Sequence, residues 1–494
     1  MIDGQRSRPS AGRGILAGAA LALLGGCAGF SADGGLDAVR QTTARHLPQQ
    51  QVEWLKEPAQ REAAAARVDA LLASPLGIDD AVQVALLNHR GVQAALQELG
   101  ISEAQAVQAG RLPNPRFTML RARRDGDYKI EQALTWNLFS LVSMPLASRI
   151  EQHRFAQTQR WVAGEVLSVA QAARKAWLAL VAARQELDYR RQVLDAAQAG
   201  ADLAERMRRA GNWSALSEAR ERGFLAEARI ALKQAEGREV AATERLVRVL
   251  GLDDGQRLAL PSRLPDPPSG IDALPDVERQ ALAERLDLQA IRLETEALAG
   301  QLGLTRVSRF VDVLEFGPAR VLEGERSAPY KNGYEIAFEL PLFDGGGARL
   351  ARAEAVYRQS LDRAAQRVID ARSQVRQAWS AYRIRHELVS HYRDDVVPLR
   401  RRIADENLLR YNAMLIGVFD LLADARQQIL TTVRYIDALR DFWIADADLQ
   451  LALIGPPSGG GWALASAGTV GDETGIDGFG ADGGAAAEQG EDAR

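Results

Sequence analysis

The 494-residue chain has one cysteine and only five histidines. A lone thiol rules out any intramolecular disulfide. So few histidines and a single cysteine leave too little for a structural zinc or a catalytic metal site. His386 and His391 stand five apart, so they do not share a helix face as a metal pair would. Met119, Met144, Met207 and Met414 are too scattered for a soft-metal relay and read as packing residues. No Ser-His-Asp or nucleophile-elbow pattern is present. The Gly345–Gly347 run lacks the Lys-Ser/Thr pair of a phosphate loop. Neither an enzyme nor a resident cofactor is expected. A net charge of -4, on 61 basic and 65 acidic residues, argues against a nucleic-acid partner. Beyond the N-terminus, no stretch holds eighteen consecutive apolar residues. A membrane crossing would therefore need strands of a closed barrel, because only helices and closed barrels satisfy every backbone group in lipid.

The two ends of the chain are distinctive. Residues 1–26 read as a signal peptide: Arg6, Arg8 and Arg13 form the positive region, and Ile15 to Gly26 is a short apolar run. It leads into Leu24-Gly25-Gly26-Cys27, which resembles the bacterial lipobox, in which the cysteine is the lipidated first residue. Ala28 rather than Asp follows, so the resemblance implies the outer membrane. Residues 27–75 form a lipidated N-terminal extension. Residues 456–494 are rich in Gly, Ala and acid and read as a disordered tail.

Between the ends the chain repeats itself. Leu342-Phe343-Asp344-Gly345-Gly346-Gly347 ends a strand-like run and opens a helical stretch, as Leu138-Phe139-Ser140 does some two hundred residues earlier. Arg174-Lys175-Ala176-Trp177 answers Arg376-Gln377-Ala378-Trp379. Each half reads as a short helix, two strands, a very long helix, a turn and another long helix. A repeat this large is a duplicated domain. In the second half, Tyr334, Ile336, Phe338, Leu340 and Leu342 alternate with Glu335, Ala337 and Glu339. In the first, Ile130, Leu134, Trp136 and Leu138 alternate with Glu131, Thr135 and Asn137. Period-two alternation over about ten residues marks a transmembrane barrel strand, or a soluble sheet with one wet face. The companion strands, Arg116 to Arg123 and Val307 to Gly317, are less regular. Four strands cannot close a barrel, so the chain would share one with its copies.

The helices are long and nearly free of proline. Ala147–Arg209 and Gly347–Leu409 would each run about 90 Å at 1.5 Å per residue. Only Pro398 interrupts them, where it would kink or split the second. Such helices cannot enclose a compact core and must pack side by side. The fold class is mainly α with a small β part.

Three strings together carry a family resemblance. The first is Leu76-Gly77-Ile78-Asp79-Asp80-Ala81-Val82-Gln83-Val84-Ala85-Leu86, followed by Asn88 and by Leu112-Pro113-Asn114-Pro115. The second is Leu340-Pro341-Leu342-Phe343-Asp344-Gly345-Gly346, and the third runs from Tyr411 to Arg426. In this order they resemble TolC-type outer-membrane efflux lipoproteins over about residues 75–455. The resemblance implies a homotrimer, with a shared twelve-stranded barrel in outer-membrane lipid and a helical tunnel through the periplasm. It divides the chain into a first repeat (76–253), a Pro-rich linker (254–270) and a second repeat (271–455). It implies a passive exit duct, with a periplasmic adaptor and an inner-membrane efflux transporter of the resistance-nodulation-division type as partners. The cargo would be drugs or heavy-metal ions, with a lean to metals; the alternative is a structural, periplasm-spanning helical lipoprotein without a pore.

The resemblance also assigns residues. Trp136, Leu138, Tyr334, Ile336, Phe338 and Leu340 would face lipid, and Pro341, Phe343, Asp344, Gly345 and Gly346 would make the strand-to-helix turn. At the periplasmic tip, Gly211 falls on the family's turn glycine, and Met414 replaces its counterpart. Asp420, with Asp424 near it, would form an acidic ring constricting the mouth.

Overall fold

The computed structural model describes residues 29–255, 258–271, 276–309, 314–339 and 343–456. The predicted signal peptide, Cys27, Leu340, Pro341 and almost all of the C-terminal tail lie outside the described residues. The N-terminal extension is folded, with helices α1 (Leu36–Ala44) and α2 (Pro58–Leu72). The first half follows as α3 (Ile78–Asn88), α4 (Arg90–Ala109), β1 (Arg116–Arg124), β2 (Asp127–Asn137), α5 (Leu138–Arg209) and α6 (Ala215–Leu250). The second half repeats that order as α7 (Val277–Glu284), α8 (Leu286–Ser308), β3 (Leu314–Gly324), β4 (Lys331–Phe338), α9 (Gly347–His391), α10 (Val397–Asn412) and α11 (Val418–Ile454). A π-helical turn, Tyr392–Val396, joins α9 to α10.

Two boundaries differ from the sequence expectation. Helix α5 starts at Leu138, well before Ala147, and its 72 residues span roughly 108 Å. Asn137 caps it, its Oδ1 accepting from the Ser140 backbone N–H at 2.9 Å. Pro145 lies inside the helix and cannot donate to the Leu141 carbonyl. Leu138, expected as a lipid-facing strand residue, is therefore the first helical residue. Val307 likewise belongs to α8, which continues to Ser308 because it is packed between α5 and α9; the strand begins at Leu314. Pro398 does split its helix. The chain passes through the π-helical turn and restarts with Pro398 in the first turn of α10, where a missing N–H costs nothing.

One core serves both halves. It runs from Leu36 and Trp54, through α3 and the middle of α5, to Phe442 and Ile454 of α11. Val162, Ala163, Val166, Ala170, Ala173 and Leu180 of α5 are fully buried in it. Small side chains on this stripe let neighbouring helices approach closely. The most apolar window of α5 is 67% buried in the chain's own body, which marks it as core. The linker is tied to α11 and to the π-helical turn. Trp443 Nε1 donates to the Pro265 carbonyl at 3.0 Å, and Arg393 donates to that of Pro267 at 3.2 Å.

The four strands form one antiparallel sheet in the order β1-β2-β3-β4. Among the described residues the outer edges of β1 and β4 have no partner, so the sheet is an open segment. Asp125 and Gly126, both with positive φ, make the tight β1–β2 hairpin turn.

Candidate functional site

The sheet is the first candidate. Cross-strand partners share a face, and the register places Trp136 opposite Phe316, Phe316 opposite Ile336, Phe117 opposite Leu134 and Leu314 opposite Phe338. Pro318 faces Tyr334 and Met119 faces Gln132 on that same side. All four strands therefore contribute large apolar residues to one continuous surface. Phe117, Tyr334, Ile336 and Phe338 on it are exposed in the single chain, and the Phe316 and Tyr334 rings meet at 6.1 Å between centroids. The structure brings together Trp136, Tyr334, Ile336 and Phe338 of the expected lipid-facing set. The parts of β1 and β3 that join them were hidden by the arginines, glycine and proline interrupting their alternation.

The opposite face holds every acidic residue of the strands: Asp127, Glu131, Glu315, Glu323 and Glu335. Its charges are largely matched there. Glu315 is buried, accepts from Thr135 Oγ1 at 3.1 Å and pairs with Arg116 at 3.2 Å. Lys129 pairs with Glu131 at 2.9 Å and Lys331 with Glu323 at 3.5 Å. Gly317 lies on this face, and a Cβ there would fall 1.9 Å from the Leu134 carbonyl oxygen, so β2 and β3 could not pair as closely with any larger residue.

The turn into α9 is built locally. Asp344 Oδ1 accepts from the Gly346 N–H at 2.8 Å, and Gly346 takes the left-handed conformation before the first helical turn. Phe343 beside it is fully exposed.

The second candidate is the far end of the helical body, where the turn between α5 and α6 meets the turn between α10 and α11. The Trp213 and Phe419 rings from the two turns lie 4.3 Å apart. Below them Glu221 pairs with Arg426, whose guanidinium lies 4.0 Å over the Phe224 ring. Glu218 is buried between Arg208 and Arg222. The hydrogen bond from Arg208 holds its carboxyl below the usual range. Asp420 is exposed near the tip, where its Oδ2 accepts from the Gly417 N–H at 3.2 Å and back-caps α11. Asp424 is half-buried and hydrogen-bonded to Asn407 on α10. The two acids thus sit in different settings: Asp420 is the more exposed, and Asp424 is tied to the neighbouring helix. Reading the sequence did not reveal the Trp213–Phe419 and Glu221–Arg426 contacts, since each joins residues some two hundred positions apart. Among the described residues, no group of three or more His, Asp or Glu side chains could hold a metal ion.

No family model matches the chain. It is 25% identical over 452 residues to outer membrane protein OprJ of Pseudomonas aeruginosa, covering 83% of this chain and 90% of that protein. Among solved structures, a membrane protein from Pseudomonas aeruginosa superposes with a TM-score of 0.64 at 19% identity, covering 82% of this chain and 96% of that one. CusC, described as a protein that forms a transmembrane channel, superposes with a TM-score of 0.61 at 16% identity, covering 77% and 92%.

Proposed function

We propose that this chain, a TolC-type outer-membrane efflux protein, is the passive exit duct of a tripartite pump. It resides in the outer membrane and extends into the periplasm. The observation that carries the proposal is the sheet. One face is apolar on all four strands, the other holds all their acids, and both edges are open. A sheet with one lipid-compatible face and one hydrated face suits a barrel wall. Unpaired edges cannot stay open in lipid, so copies must close the ring. Three copies give twelve strands, with the long helices continuing the lumen below. Trp136, Tyr334, Ile336 and Phe338 would face lipid, and the acids would line a cation-tolerant pore.

In this reading the duct supplies neither energy nor cargo choice. An inner-membrane transporter would supply both, with a periplasmic adaptor joining it to the helical tip. Drugs and heavy-metal ions both fit such a conduit. The repeats span 76–253 and 271–455, joined by the 254–270 linker, and acylated Cys27 would anchor the N-terminus. At the mouth, three copies of Asp420 would converge and favour cations; Asp424, already bonded to Asn407, would contribute less.

Conductance of the purified full-length protein in a planar bilayer tests this. Stable, discrete current steps are expected. Their absence from a protein that trimerises in detergent would favour a structural helical spacer. In the same recordings Asp420→Ala should weaken cation preference and blockade by trivalent cations, whereas Asp424→Ala should do less.

A further inference from the structure

The apolar face of the sheet ends in a cluster of arginines. By register, Arg121 and Arg123 of β1 and Arg320 of β3 stand on the same face as Phe117, Met119, Tyr334 and Phe338. Arg121 and Arg123 lie towards the β1–β2 hairpin, away from the helical body. Arg320 lies level with Gln132 and Asn332. Every acid of the strands is on the other face. No ion pair joins Arg121, Arg123 or Arg320 to a carboxylate among the described residues. The basic residues of the acidic face Arg116, Lys129 and Lys331, by contrast, each have one.

Aromatic rings hold the arginines instead. The Tyr128 ring lies 5.8 Å from the Arg121 guanidinium and 5.3 Å from that of Arg123. Arg320 lies 4.9 Å from the Tyr330 ring and donates to Gln132 Oε1 at 2.6 Å. A ring beneath a guanidinium fixes its plane and leaves its N–H groups free to donate. The arrangement sits where an outward barrel face passes from acyl chains into the headgroup layer. Arginine forks match phosphate in both charge and geometry.

We infer that Arg121, Arg123 and Arg320, set by Tyr128 and Tyr330, form a binding site for the phosphate groups of an outer-leaflet glycolipid. The inference rests on the reading above that the apolar face meets lipid. One such cluster per chain would give three around a closed barrel, each tying the wall to the anionic leaflet.

The test uses the full-length trimer, purified and stripped of lipid in detergent, with lipid A as probe. Binding is followed by native mass spectrometry and thermal shift. The wild type should bind diphosphorylated lipid A roughly 100-fold more tightly than the triple variant Arg121→Gln, Arg123→Gln, Arg320→Gln, at a typical gain per basic residue at an anionic surface. Dephosphorylated lipid A should bind both alike, and millimolar inorganic phosphate should not compete. Equal affinity of wild type and variant would overturn the site. So would equal binding of the two lipids, or displacement by inorganic phosphate, which would mark a free-anion site. If the triple variant fails to trimerise, the two lipids compared on wild type decide alone. Current steps from a preparation that shows no lipid discrimination would overturn this inference and leave the duct standing; loss of both would remove the lipid-facing assignment itself.

Discussion

The two halves of the chain build the same backbone from different chemistry. At the bend between paired short helices the first half has His89 and the second Arg285, both extended. Arg285 is 1% exposed and fully engaged: it pairs with Asp287 at 2.7 Å and donates to the Ala452 carbonyl and to Gln374. His89 is half-buried, and among the described residues its Nδ1 has no hydrogen-bond partner. In the matched motifs, Trp177 is buried with its Nε1 on the Leu76 carbonyl at 2.9 Å, whereas Trp379 stacks on Tyr382 at the margin of the core. Helix α5 runs unbroken and supplies the centre of the core; its counterpart breaks at the π-helical turn and buries few side chains. Duplication preserved the path of the chain. The longest buried stripe, however, fell to the first half; the second joins the same core mainly through α11, and Arg285 ties α8 to α9 and α11 within the second half.

The largest effect that could break this comparison is at Arg285. Arg285→Ala leaves the largely covered Asp287 carboxylate uncompensated and should cost about 3–5 kcal/mol. His89→Ala should cost much less in the same denaturant titration of the trimer. Equal losses would mean that the two bends carry equal load.

The two sheet faces come next. Phe338→Arg should cost about 2–4 kcal/mol and impair trimer assembly if the side chain meets the bilayer midplane. Glu335→Arg, on the acidic face, should assemble. Impairment of both to the same degree, read on a native gel, would reverse or dissolve the facing.

A smaller effect sharpens the comparison at the tip. Gly211 has φ 80° and Met414 φ 60°, and both turns close with the same hydrogen bonds: Asn212 N–H to the Met207 carbonyl, and Leu415 N–H to that of Arg410. A non-glycine residue in the left-handed region carries about 1–2 kcal/mol of strain. Gly211→Met should lose that amount. Met414→Gly should gain somewhat less, because glycine also loosens the unfolded chain. Melting temperatures that move the same way in both variants would contradict the strain.

The smallest expected effect depends on pH. Burial lowers the His89 imidazole below its ordinary value. The unfolded chain then takes up the proton more readily, so stability falls as pH drops through about 6.5. His89→Gln should remove part of the loss in melting temperature between pH 7.5 and 5.5. Burial pushes His46 the same way, so the difference between wild type and variant isolates His89. Identical pH profiles would show that His89 contributes nothing.

What the sequence by itself determined was local and periodic. Alternation marked β2 and β4, because side chains on a strand switch faces at every residue. The absence of proline marked the long helices, since one missing N–H in mid-helix usually ends the run. The repeated strings marked the duplication, and Pro398 marked the break before α10. Tertiary structure decided the rest. It carried α5 back through Pro145 to the Asn137 cap and kept Val307 helical, because packing on a long neighbour outweighs the preference of a few residues. It brought Phe117, Met119 and Phe316 into register with Ile336 and Phe338, an apolar surface that β1 and β3 do not reveal alone. It joined Trp213 to Phe419 and Arg285 to Ala452 across gaps that no local pattern spans. It also placed Arg121, Arg123 and Arg320 on the face without acids, because only pairing partners determine which residues stand side by side.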